Sequence, residues 1–115
     1  MTKKELIKKA LIAQAKKKQI ISYDEFARDY NIPIGKGPYQ FQTMIDIFNV
    51  LCVEGGVKMP MISSFIVKKD KKIPGGGFFK TAFELGKIDS PEENRNFWEK
   101  EKEEAFEYWT ASENI

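Results

Sequence analysis

The residues best suited to chemistry in this 115-residue sequence are lysines and glycines that stand close together before a predicted helix. Eight residues define the candidate site: Lys68, Lys69, Lys71, Lys72, Gly75, Gly76, Gly77 and Lys80. The helix is expected to begin near Phe78, directly after the glycines. A helix N-terminus presents amide N–H groups to an anion, and neighbouring lysines add positive charge. The pattern therefore predicts a phosphate-binding surface made of side chains and backbone amides.

Two other interpretations of the same residues stay open. Glycines let the chain turn tightly after Pro74, while Phe78 and Phe79 anchor the helix that follows. Lysines on an exposed hairpin also protect a sheet edge against pairing with another chain. The segment Phe79-Lys80-Thr81 lacks the Gly-Lys-Thr ending of a Walker loop, so the glycines do not indicate a nucleoside triphosphatase.

The absence of histidine and the presence of one cysteine limit the possible chemistry. Zinc sites that use histidine and acid/base catalysis by imidazole are excluded. Cys52 lies in an apolar helical pattern, which is typical of a buried thiol. Ser63 and Ser64 have no base near them in sequence, so we interpret both as structural hydroxyls. We predict no catalytic residue, metal or cofactor, although a nucleotide enzyme with a carboxylate-only metal site stays open.

Charge is distributed unevenly, although the formal net charge is only +2. Residues 1–18 contain seven lysines and one glutamate, and residues 57–87 contain seven lysines and two acidic residues. Residues 90–115 contain eight glutamates and three basic residues. This asymmetry predicts one face that attracts polyanions and another that repels them. Alternatively, the basic and acidic helices simply lie beside each other.

The first half of the sequence predicts three helices and a short strand. Capping boxes beginning at Thr2 and Ser22 start the first two helices, and the β-prone residues Ile20 and Ile21 precede the second. Pro38 is placed to start the third helix, which glycines end. Its exposed side offers polar groups that can hydrogen-bond base edges: Gln40, Gln42, Thr43, Asp46 and Asn49.

The second half predicts a strand over residues 61–69, a turn at Asp70 and a return through Ile73 that makes a hairpin. The next helix is short, and Gly86 ends it. Its apolar stripe contains Phe79, Ala82 and Phe83. The last helix is expected to begin after Ser90. Its predicted buried side is aromatic and contains Phe97, Trp98, Ala105, Phe106 and Trp109.

The order of helix, short strand, helix, helix and hairpin is that of a winged-helix domain. Within it, the residues 21–27, Ile-Ser-Tyr-Asp-Glu-Phe-Ala, resemble the strand-to-helix step in the winged-helix half of alkyltransferase-like DNA repair proteins. The chain lacks their Pro-Cys-His-Arg motif, so alkyl transfer is not implied. We predict a mainly helical α+β fold, winged-helix-like, with a small β-hairpin and an added C-terminal helix. One domain spans residues 1–115, with a three-helix part (1–56), a hairpin and glycine-rich turn (57–88) and the last helix (89–115).

A second resemblance covers residues 59–109. The strand Pro60–Val67, the turn Ile73–Phe79 and the pairs Phe97-Trp98 and Tyr108-Trp109 are similar to features of a group of small uncharacterised bacterial and phage proteins. That group shares a Leu-Ser-x-Val-Val strand, a Pro-Gly-x-Gly-Phe turn and a C-terminal helix bearing Phe-Trp. The resemblance implies a fold pattern without an assigned function.

Together these patterns predict a non-catalytic, nucleic-acid-associated module that binds phosphates through its basic hairpin and glycine-rich turn. No apolar run approaches the roughly 20 residues of a membrane span, so we expect a cytoplasmic protein with no membrane contact. The alternative is a protein-binding factor of phage or mobile-element origin, such as an inhibitor of a host defence complex. That factor would dock through the acidic C-terminal helix or an exposed aromatic residue.

Overall fold

Five α-helices and a two-stranded sheet make up the computed structural model of the protein, which describes residues 1–111. The helices are α1 (Lys3–Lys16), α2 (Tyr23–Asp29), α3 (Gln42–Gly55), α4 (Gly76–Glu84) and α5 (Arg95–Ala111). The strands are β1 (Ile21–Ser22) and β2 (Ile66–Val67). The described part of the chain is therefore mainly helical and of the α+β class, as predicted.

Local signals in the sequence fix several helix ends. The Thr2 hydroxyl accepts a hydrogen bond from the Glu5 N–H, and the Glu5 carboxylate accepts one from the Thr2 N–H. The Ser22 hydroxyl accepts from the Glu25 N–H and caps α2. Gly56 ends α3 with φ of 78°, in the left-handed region that favours glycine. The predicted starts of α1 and α2 and the end of α3 are confirmed.

The predicted start of α3 at Pro38 is wrong. Pro38 instead lies in a single 3₁₀ turn, and α3 begins at Gln42. The Gly35 N–H donates to the Gln40 carbonyl oxygen at 2.8 Å, which closes the loop around this turn. The closed loop separates the proline from the helix that its position favours.

The last helix also begins later than predicted, at Arg95 instead of directly after Ser90. The Asn94 side-chain oxygen accepts a hydrogen bond from the Phe97 N–H at 3.0 Å, which is the bond made by an N-cap residue. The Ser90 hydroxyl accepts only from the Glu92 N–H, two residues away. Ser90 therefore stabilises a local turn, and Asn94 starts the helix.

The predicted long strand and its hairpin are not formed in the described part of the chain. β2 contains two residues and pairs with β1 in parallel, with Ile66 opposite Ile21. Residues 61–67 are all buried, so this segment lacks the solvated face of a surface hairpin. The chain then makes a closed turn in which the Lys68 N–H donates to the Ile73 carbonyl oxygen at 2.9 Å. We call residues 68–73 the basic turn.

Aromatic side chains connect the helices to the segment that contains β2. Phe26 meets Phe48 edge to face with ring centroids 5.7 Å apart, and Phe65 stacks on Phe106 at 5.5 Å. Phe79 of α4 is also fully buried. Helix α5 packs on α1, and α3 packs on both α1 and α4. This arrangement places the start of α4 beside the polar side of α3.

A buried ion pair holds the segment between α3 and β2 against α5. The Lys87 ammonium donates to the carbonyl oxygens of Val57 and Met59, both at 2.8 Å, and lies 3.0 Å from a Glu101 carboxylate oxygen. The same Glu101 oxygen accepts from the Met61 N–H at 3.0 Å. We call this arrangement the Lys87–Glu101 clasp.

Candidate nucleic-acid interface

The glycines form the first turn of α4, so the helix begins two residues before its predicted start near Phe78. Gly75 is the N-cap residue and has no side chain with which to satisfy the first amides. Its own N–H donates to the Tyr23 hydroxyl at 2.9 Å. The first amides of a helix lack acceptors within the helix, so those of Gly76 and Gly77 are directed toward the space before it. This turn can bind an anion through its backbone.

Neither the backbone conformation nor the packing requires glycine throughout this turn. The glycines with positive φ are Gly37, Gly56 and Gly86, all outside it. A Cβ atom added to Gly76 would meet nothing within 4 Å. A Cβ atom on Gly77 would make ordinary contacts, the nearest at 3.5 Å from the Asn49 side chain. The interpretation of the glycines as a conformational need of the turn therefore has no support at Gly76.

One cavity of about 340 Å³ lies in front of the turn and joins features that are far apart in the sequence. Lys68, from the start of the basic turn, borders it together with Gln42 and Asn49 of α3. The remaining lining residues are Tyr23, Ile45, Gly75, Gly76, Gly77 and Phe78. A cation, two side-chain amides and two backbone amides thus surround a single space. This set can bind a phosphate and hydrogen-bond a neighbouring polar group.

Tyr23 is the member of this site that the sequence interpretation misses. The Tyr23 ring stacks on the Phe48 ring, with centroids 6.4 Å apart. The Tyr23 hydroxyl holds Gly75 in place by accepting the hydrogen bond from its N–H. Burial raises the pKa of the Tyr23 phenol, while the hydrogen bond from Gly75 lowers it less. The phenol therefore stays neutral at pH 7 and keeps a proton that it can donate. Nothing in the sequence links Tyr23 to a glycine 52 positions away, because the contact arises from tertiary packing.

The lysines of the basic turn differ in their positions. Lys68 is half-buried at the cavity, whereas Lys69, Lys71 and Lys72 are exposed. The pKa of Asp24 is lowered mainly by its hydrogen bond from the Ser22 hydroxyl, and the positive charge of Lys69 contributes. The basic turn thus presents one lysine to the cavity and three to solvent beside it.

Lys80 does not line this cavity. It lies exposed on α4 and borders a neighbouring groove together with Val50 and Val53 of α3. The structure therefore brings Lys68 and the three glycines together and places Lys80 in an adjacent groove, which Gly77 and Asn49 also border.

The acidic helix uses several of its charges internally. Glu101 belongs to the Lys87–Glu101 clasp, and Glu99 pairs with Lys102 at 3.0 Å, as the i, i+3 spacing predicts. The Trp98 indole N–H donates to the Ser64 carbonyl oxygen at 2.7 Å inside the core. These contacts give α5 a structural role, because they hold it against the core and stabilise the helix itself.

Comparisons with protein-family models, curated proteins and solved structures find no match for this chain. The two resemblances noted in the sequence therefore stay predictions. Within residues 1–111, no cluster of cysteine, aspartate or glutamate side chains is arranged to hold a metal ion. No helix in that range has both the length and the apolar surface needed to cross a bilayer.

Proposed function

We propose that this protein is a non-catalytic module that binds nucleic acid through its phosphates. The observation that carries the proposal is the single cavity bordered by Lys68, the uncapped glycine turn of α4 and the amide side chains of α3. In the free protein, neither the backbone conformation nor the packing at position 76 requires glycine. A phosphate that approaches the backbone closely would require it, because a side chain there would be in the way.

In this mechanism one phosphate lies against the amides of Gly76 and Gly77 and the Lys68 ammonium. Lys69, Lys71 and Lys72 contact the neighbouring phosphates of the same strand. Gln42 and Asn49 then face the sugar or base attached to the bound phosphate. Phosphate contacts supply affinity without reading sequence, so we expect weak sequence preference.

At the level of fold, we propose a winged-helix-like domain in which the basic turn takes the place of the hairpin wing. The order α1, β1, α2, α3 supports this, because it is the order expected before the wing. The basic turn follows β2, which pairs with β1, and its first residue borders the same cavity as α3. The polar side of α3 and the basic turn beside it would then contact the same stretch of nucleic acid.

The test is a fluorescence-anisotropy titration with labelled single- and double-stranded DNA and RNA at several salt concentrations. The test variant replaces Lys68, Lys69, Lys71 and Lys72 by glutamine. Each lysine that loses a phosphate contact should reduce the slope of log affinity against log salt by about 0.9 on B-DNA, or about 0.7 on a single strand. We expect the variant to bind more weakly and with a shallower salt dependence.

A matched control removes the same number of positive charges from α1 by replacing Lys3, Lys4, Lys8 and Lys9 with glutamine. This control changes the net charge equally but leaves the cavity and the basic turn intact. We expect it to retain most of the salt slope. An equal loss in both variants would show diffuse attraction and contradict a defined site. Absence of binding at low salt would overturn the proposed function and favour a protein partner.

A further inference from the structure

A second groove, of about 370 Å³, lies between α3 and α4 next to the proposed phosphate cavity. Val50 and Val53, one helical turn apart on α3, border it and are 47% and 55% exposed. The opposite side of α3 already buries Met44 and Phe48 in the core. This helix is therefore apolar on two sides, and its outer side is left uncovered in the monomer.

The edge of the groove on α4 carries one charge of each sign. Lys80 and Glu84 are separated by four residues and so lie on the same face of the helix. Both side chains are exposed, and in the part of the chain that the structure describes neither forms an ion pair. Phe83, predicted to belong to the apolar stripe of α4, is instead 42% exposed beside Lys80. Exposed apolar residues thus stand next to a cation and an anion that are both unpaired.

This pattern is complementary to itself. A two-fold axis that passes between two copies at right angles to α4, level with the midpoint between Lys80 and Glu84, would run the two α4 helices antiparallel. Lys80 of each copy would then face Glu84 of the other, and the same apolar residues would meet across the axis. Such self-complementarity is what a symmetric dimer requires. Glu54 of α3 also borders the groove, but its charge is already paired with Lys4 of α1.

We propose that the groove between α3 and α4 is the interface of a symmetric homodimer. Val50 and Val53 supply the apolar area of the groove, Phe83 adds exposed apolar area on α4 outside it, and two reciprocal pairs of Lys80 with Glu84 set the antiparallel orientation. This inference concerns association of the protein with itself and does not depend on nucleic-acid binding.

Sedimentation equilibrium and light scattering of the purified protein without nucleic acid, from micromolar to millimolar concentration, test the dimer directly. We expect the mass to rise from the 13.3 kDa of the monomer toward twice that value. Val53→Asp should abolish the rise, because it buries an unpaired charge in the apolar part of the interface. A monomer at every concentration would overturn the inference.

Charge reversal then tests which surface is used. Lys80→Glu or Glu84→Lys alone places like charges opposite each other, and each should weaken dimerisation about tenfold. An equimolar mixture of the two variants should recover it, because every introduced charge then faces an opposite one in the mixed dimer. Circular dichroism checks that both variants stay folded, as expected for changes at exposed positions.

The chain offers a matched control in Lys100 and Glu104 of α5, which have the same spacing and are also exposed. Lys100→Glu and Glu104→Lys should leave the dimer unchanged. Equal weakening by the control reversals, or a dimer that is insensitive to reversal at Lys80 and Glu84, would exclude the proposed interface.

Discussion

The glycine at position 76 allows the proposed phosphate site to be tested with one methyl group. Gly76→Ala meets no neighbouring atom and requires no positive φ, so the free energy of unfolding should rise by about 0.5 kcal/mol. The added methyl group stands where a phosphate would approach the first amides of α4. We expect about tenfold weaker nucleic-acid binding, or about 1.4 kcal/mol. Urea denaturation and anisotropy titration measure the two effects separately.

Gly86→Ala is the matched control for that substitution. Gly86 has φ of 81°, in the left-handed region, so alanine there should destabilise the protein by about 1 kcal/mol. Nucleic-acid binding by the folded fraction should be unchanged, because Gly86 follows the far end of α4. Unaltered binding by Gly76→Ala would show that no ligand approaches this turn.

At the residue scale, local signals were predictable and long-range partners were not. Thr2, Ser22 and Gly56 act through neighbours within a few positions, so their residue types indicate their roles. Tyr23 acts on Gly75, and Trp98 on Ser64, across separations that no local pattern encodes. The lysines and glycines of the candidate site were visible in the sequence, but the cavity that joins Lys68 to α3 required the fold.

At the element scale, the Lys87–Glu101 clasp determines how α5 holds the segment before β2. Both side chains are more than nine-tenths buried, so removing one partner leaves the other buried without its counter-charge. Lys87→Met should lower the free energy of unfolding by about 3–5 kcal/mol. Chemical denaturation followed by circular dichroism measures this loss.

A double variant shows whether the unpaired charge is the cause. Glu101→Gln keeps an oxygen that can accept from the Met61 N–H but carries no charge. Adding it to Lys87→Met should therefore recover part of the lost stability. Lys100→Met removes one partner of an exposed ion pair on α5, the helix that carries Glu101, and should lower the free energy of unfolding by less than about 1 kcal/mol. If Lys87→Met were as mild as Lys100→Met, the clasp would not support the segment.

The elements themselves were predictable to different degrees. Apolar spacing or a capping box indicates each helix, but the starts of α3 and α5 differ from the predicted ones. The loop hydrogen bond at Gly35 overrides the signal of Pro38, and the N-cap bond at Asn94 overrides the signal of Ser90. The hairpin was predicted from β-prone residues in residues 61–69. Those residues are apolar because they are buried among helices, and composition alone does not distinguish that environment from a sheet.

At the scale of the whole molecule, the fold determines where the basic and acidic segments of the sequence lie relative to one another. The basic α1 packs on the acidic α5, so the two helices lie beside each other, as one of the two interpretations of the sequence expects. The basic turn belongs to a different part of the chain and carries exposed lysines with Asp70 as its one acidic residue. Long-range attraction and local contact can therefore be separated by experiment.

Neutralising the outer face of α5 separates the effect of long-range attraction from that of local contact. Glu103, Glu104 and Glu107 are exposed, and their replacement by glutamine leaves the proposed phosphate site unaltered. The described part of the molecule extends 36 Å along its longest axis, whereas the screening length is about 10 Å at 0.1 M salt. The triple variant should therefore bind nucleic acid a few-fold more tightly at low salt and equally well at 0.15 M or more, because only the long-range field has changed. Anisotropy titrations of wild type and variant across salt concentrations measure the difference.

Weaker binding at low salt would instead place α5 in contact with the ligand, and a gain that persists at high salt would place its glutamates beside the bound phosphates.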